Sequence, residues 1–242
     1  MAEFDTIRST SQSDAHVSID SGLRAHMNKV YGLMAVAMVI TGSVAWSIGT
    51  TPQLVYALFS NQILSLVIMF APLGFVFFLS ARVMKMSYAG GQLSFWLFSA
   101  LMGLSLSTIF VVYTGASIAN AFFTTAIAFG AMSLFGYTTK KDLSGMGRFL
   151  FMGVIGLIVA MIINWFTQSP GLEFAINVLG VLIFAGLTAY DTQNIKNTYL
   201  GLRSSPNGEE IAAKAGILGA LSLYINFLNM FMFLLQFMGN RE

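Results

Sequence analysis

Leu172-Glu173-Phe174-Ala175-Ile176-Asn177-Val178-Leu179-Gly180-Val181-Leu182-Ile183-Phe184-Ala185-Gly186-Leu187-Thr188-Ala189-Tyr190-Asp191-Thr192-Gln193-Asn194-Ile195-Lys196 is the stretch that decides the fold. From Leu172 to Tyr190 it is mostly apolar and long enough for one bilayer crossing, which needs about 20 such residues. It closes on a carboxylate, Asp191. A carboxylate costs about 2.5–3.5 kcal/mol at the centre of a membrane helix and less toward an interface. Chains rarely keep such a residue without a partner or a task, so the functional reading starts at Asp191.

The rest of the chain agrees with a membrane reading. Of its 242 residues, 56% are hydrophobic and only 9% charged. Soluble domains carry about 25% charged residues. The mean hydropathy is +0.75. The 22 Phe, 8 Tyr, 3 Trp and 15 Met supply lipid-facing and packing surface. With no cysteine, disulfides, thiol nucleophiles and thiolate metal sites are excluded. Residues 1–28 are polar, lack a signal-peptide apolar core, and read as a disordered cytoplasmic tail. Both histidines, His16 and His26, fall in that region, which leaves no histidine inside the membrane.

Seven stretches qualify as spans, at about 30–49, 62–80, 92–113, 117–137, 149–167, 173–191 and 215–237. The expected fold is all-α: seven transmembrane helices in one bundle over residues 29–240. Short connectors predict antiparallel hairpins between neighbours. No internal repeat is visible, which counts against an inverted-repeat transporter. With the N-terminus cytoplasmic, eleven of the twelve Lys and Arg residues lie on the cytoplasmic side and only Arg241 lies outside. That asymmetry supports an odd number of spans. A re-entrant last segment would hardly change the count, so it stays open here. Gly153 and Gly156 on the fifth span, with Gly180 and Gly186 on the sixth, read as sites of close helix contact.

Strongly polar residues within the spans are few. Asn226 and Asn229 are three apart and share one face of the seventh helix, which should point into the bundle because lipid offers an amide no partner. Asn226 should lie about 15 Å above the start of its span. Contact with Asp191 therefore requires the sixth helix to continue inward by a turn or more, or the seventh to begin deeper.

Three motifs resemble the transmembrane Bax inhibitor motif family. They are Ala189-Tyr190-Asp191-Thr192-Gln193 with Ile195-Lys196, Lys140-Lys141-Asp142-Leu143-Ser144, and Ala220-Leu221-Ser222-Leu223-Tyr224 with Asn229. The resemblance covers nearly everything after the tail. It implies a seven-helix protein of endoplasmic reticulum, Golgi or bacterial plasma membranes, with a pH-sensitive calcium leak or stress-linked ion role; the short polar tail without a targeting sequence points to the bacterial plasma membrane. Some bacterial relatives regulate a membrane-anchored AAA protease. The family mechanism centres on two aspartates in the sixth and seventh spans. Asp191 matches the first; Asn226 stands in place of the second. Two close carboxylates share a proton and titrate as a unit, which an Asp–Asn pair cannot do. The expectation is a hydrogen-bonded Asp191–Asn226 latch with blunted pH sensing. Arg82 is the nearest match to the family's basic residue at the end of span two.

Three function classes follow. A calcium-permeable leak would use the oxygens of Asp191, Asn226 and Asn229, because hard cations take oxygen ligands, with Asp191 the charged contact. A regulatory protein modulating a membrane protease complex needs no pore. An intramembrane enzyme is disfavoured: no second Gly-x-Gly-Asp aspartate, His-Glu-x-x-His or membrane histidine is present by this reading. The reading is therefore a non-enzymatic membrane protein without a resident cofactor or nucleic-acid partner, with calcium as permeant ion and the lipid bilayer as its surroundings.

Overall fold

A computed structural model of the chain describes residues 2–240, with side chains described from Ser21 onward. Among the described residues the fold is all-α. The helices are α1 (Ala2–Gly49), α2 (Pro52–Phe59), α3 (Gln62–Arg82), α4 (Tyr88–Leu106), α5 (Ile109–Val112), α6 (Gly115–Thr138), α7 (Ser144–Thr167), α8 (Pro170–Leu202) and α9 (Gly208–Met238). A 3-10 turn, Val83–Lys85, links α3 to α4. Seven stretches are long and apolar enough to cross a membrane, with α4 and α5 together forming the third. Most of the expected polar tail, residues 1–20, has side chains outside the described residues. Its end does not behave as a tail: Ser21 to Asn28 are helical within α1, and Leu23, His26 and Met27 are buried.

The sixth and seventh spans are longer than hydropathy suggests. α8 runs from Pro170, placed at the first helical position behind a Ser169 cap, to Leu202. Residues 192–202 are too polar to register as membrane-spanning, yet their inner face continues the helix: Thr192, Gln193 and Ile195 are buried. α9 likewise begins at Gly208, with Glu209 and Glu210 exposed, Lys214 half-buried and Ala212 and Gly216 buried. Lys214 pairs with Glu210 at 2.8 Å, one helical turn apart. α9 is one uninterrupted helix of 31 residues, about 46 Å long, so the last segment crosses rather than re-enters.

α9 is the centre of the bundle. Its apolar stretch is 72% buried, against 17% for α3 and 6% for α7. α8, α1, α6 and α4 pack around it. Sequence neighbours are not always spatial neighbours, contrary to the simple hairpin expectation. α1 packs chiefly on α4, and α6 and α7 both pack on α8. Close backbone approach selects these pairings, since apolar helices in lipid gain little from hydrophobicity alone. A Cβ at Gly103 would meet the Thr41 carbonyl of α1 at 2.6 Å, and one at Gly136 would run into the Ala189 backbone of α8. Of the four glycines expected at contacts, Gly153, Gly180 and Gly186 pack against Ile183, Phe233 and Leu150, whereas Gly156 faces open space.

Candidate functional site

Extension of both helices satisfies the condition for contact between the two motifs. Asp191 lies well inside α8 rather than at its end, opposite the middle of α9. The Asn226 amide donates to Asp191 Oδ2 at 2.7 Å. Asn226 is 4% exposed, and the carboxylate supplies the acceptor that lipid could not. Asn229 shares that helix face, and its amide bonds back to the Ile225 carbonyl at 2.8 Å. Its remaining oxygen belongs to a face with Ser222 and Asn226 that lines a cavity of 790 Å³ between α7, α8 and α9.

A second cavity of 190 Å³ lies between α1, α8 and α9, with His26, Asn194 and Tyr199 on its wall. Asp191 and Ser222 line both cavities. The hydrogen-bonded pair therefore stands where the two spaces adjoin. The register places this junction near one end of the bundle: Gly136, close to the end of α6, meets Ala189, and Gly147, close to the start of α7, meets Tyr190. α1, α8 and α9 extend beyond that level as a three-helix bundle around the smaller cavity.

Arg82 is not part of this constellation. It is exposed in the last turn of α3, lines neither cavity, and makes no ion pair with Asp191 among the described residues. The α3–α4 turn meets α9 instead through Val83 and Ile217, which both crowd Gly91.

Sequence reasoning missed His26. It is buried, stacks on Tyr199 with ring centroids 4.6 Å apart, and packs against Gly216. Polar flanking residues hid it, because a helix that leaves the apolar zone can still bury one face against its neighbours. The exclusion of any histidine from the bundle is thereby corrected. The role of Gln193 was also missed. Its Oε1 accepts the Leu143 amide and its Nε2 donates to the Lys141 carbonyl, both at 2.8 Å. Lys196 donates to the Tyr137 carbonyl at 2.7 Å, at the end of α6. Two of the recognised motifs are thus two sides of one clasp between the α6–α7 loop and α8. Within that loop, the Ser144 side chain and amide hold Asp142 below the usual carboxylate range, with Arg148 a smaller contribution.

The third motif closes a polar knot in the core. The Tyr224 hydroxyl hydrogen-bonds Thr41 at 2.6 Å, and Thr41 donates to the Ser99 carbonyl at 2.8 Å, joining α9, α1 and α4. A second chain links Tyr31, Ser133 and Thr192. Asn164 accepts from the Ser169 amide at the α7–α8 turn, while the Asn177 side-chain oxygen is buried without a hydrogen-bond partner among the described residues. No cluster of three or more His, Cys, Asp or Glu that could hold a metal occurs among the described residues.

The family model described as inhibitor of apoptosis-promoting Bax1 matches residues 23–242. The inner membrane protein YbhL of Escherichia coli strain K12 is 45% identical over 231 residues, covering 96% of this chain and 98% of the relative. A protein of Caulobacter vibrioides is 47% identical over 246 residues, covering 97% and 96%. The Rickettsia prowazekii protein RP147 is 40% identical over 239 residues, covering 99% of both. A model match over the whole bundle, with relatives aligned along almost their full length, makes this chain a multi-pass membrane protein of the Bax inhibitor family.

Proposed function

We propose that this protein is a calcium-permeable leak channel of a bacterial inner membrane, closed by the Asp191–Asn226 pair. The observation that carries the reading is the 2.7 Å hydrogen bond at the junction of the two cavities. Breaking it would leave a carboxylate and two amide oxygens facing a common space, a donor set suited to a hard cation. Asn226 resembles a protonated aspartate in shape but cannot release a proton, so the pair acts as a latch with blunted pH response. The inner-membrane setting follows the printed name of the YbhL relative. The N-terminus is cytoplasmic, from the Lys and Arg distribution. The function is non-enzymatic and calls for no resident cofactor.

The test is calcium flux into liposomes holding the purified protein, comparing wild type, Asp191→Ala and Asn226→Asp at about pH 6 and about pH 8. The reading expects flux that depends on Asp191 and gains pH steepness in Asn226→Asp. Absence of flux in every variant would reject the channel and leave modulation of a membrane protease as the family-linked alternative.

A further inference from the structure

The larger cavity has walls that an ion path alone does not require. From Gly147 to Met161 its α7 wall rises about 21 Å, more than the hydrocarbon depth of one leaflet, about 15 Å. Along most of that height the wall is apolar, with Leu157, Met161, Phe184 and Phe233. Polar groups gather at one end. There Gly147 packs on the Tyr190 ring, and the residues that follow each of them, Arg148 and Asp191, line the cavity at nearly one height. One end of the groove therefore carries both signs of charge. Arg148 is exposed and makes no direct hydrogen bond or ion pair among the described residues, its small charge interaction with the exposed Asp142 carboxylate aside, and Asp191 Oδ1 has no protein hydrogen bond among them. This end lies where the apolar stretch of α6 finishes and that of α7 starts, beside Lys140 and Lys141, the level at which cationic side chains meet lipid headgroups. α7 packs chiefly on α8 and is only 6% buried, so the groove opens sideways toward the bilayer.

We propose that this 790 Å³ cavity is a lipid site, holding one acyl chain of a bilayer phospholipid whose head carries both a phosphate and a primary ammonium. The phosphate meets Arg148, a fork of donors suited to phosphate oxygens. The ammonium donates to Asp191 Oδ1 and the neighbouring amide oxygens. The chain lies along the apolar wall, which water alone would fill poorly. A purely anionic head would set like charge against Asp191, and a trimethylated ammonium could donate no hydrogen bond to it. The site does not depend on ion conduction, although its head group would cover the oxygens that a calcium ion would use.

The full-length protein would be reconstituted with equal amounts of phosphatidylethanolamine, phosphatidylglycerol and phosphatidylcholine of identical chains. It would then be moved into detergent, and retained lipid counted by native mass spectrometry. One phosphatidylethanolamine is expected to stay bound. Arg148→Ala and Asp191→Asn should each weaken retention about tenfold, the size of one lost charge-assisted hydrogen bond. Met161→Trp, which fills the apolar half and spares the head, should also abolish retention, while Gly156→Ala, facing open space, should not change it. Equal retention of the three lipids, or unchanged retention in Arg148→Ala, overturns the head-group assignment. Displacement by soluble phosphoethanolamine at matching concentration overturns the acyl half. If Asp191→Asn does not fold, Arg148→Ala and Met161→Trp, both at exposed positions, decide the matter. Lipid retention is read without any flux, so its failure and that of the channel reading are separable.

Discussion

Asp191 and Asn226 show how one atom changes the chemistry of a buried pair. Replacing the Asn226 amide by a second carboxylate would place two acids within hydrogen-bond reach, and the pair would then share a proton. Asn226→Asp should lose melting temperature relative to wild type as pH rises, because repulsion appears as the shared proton leaves. Asn226→Leu should destabilise by about 1.5–3 kcal/mol, since it strips a partner from a charged group. Tyr224→Phe removes a neutral bond to Thr41 and should lose only about 0.6–1 kcal/mol. Thermal melts in one detergent would rank the two, and a larger loss in Tyr224→Phe would contradict the reasoning. The sequence disclosed the pair by residue type and motif, and disclosed the distance condition for contact. It did not disclose His26, because a buried stack on Tyr199 leaves no trace in local hydropathy.

At the level of helices, hydropathy located every crossing but misjudged the ends nearest the α8–α9 connection in the two that matter most. α8 and α9 pass beyond the apolar zone as amphipathic helices, and the buried Thr192, Gln193 and Ala212 continue the core with polar or small side chains. Helix partners were less legible than helices, because pairing depends on which glycine admits which backbone. Gly136→Leu should force α6 off α8 and destabilise by about 1–3 kcal/mol or more, whereas Gly156→Leu should be nearly neutral. Gln193→Leu should destabilise by about 1–3 kcal/mol by leaving the buried Leu143 amide without an acceptor, and should loosen the α6–α7 loop to proteolysis. Asp142 holds the start of α7 through the Ser144 amide, and its ionised form is favoured in the fold. That contribution is present at neutral pH and is lost as pH falls through its lowered value, so Asp142→Asn should flatten the acid limb of the melting curve.

For the molecule as a whole, orientation rests on charge and is open to direct test. The chain has no cysteine, so single substitutions report without background. Lys140→Cys should react only with reagents applied from the cytoplasm, and Gly115→Cys only from the opposite side; the reverse pattern would invert the topology. The central place of α9 has a consequence for biosynthesis. The helix with the greatest buried share is the seventh of the seven crossings to be synthesised, so the first six enter the membrane around a vacant axis. Until α9 is made, Thr41 and Asp191 lack the partners that Tyr224 and Asn226 supply, and the inner walls of α1, α4, α6 and α8 face lipid or an insertion chaperone. Assembly is therefore gated by synthesis of α9. A message cut short before α9 would yield a protein with nearly all its crossings and no interior, an easy substrate for membrane quality control to recognise.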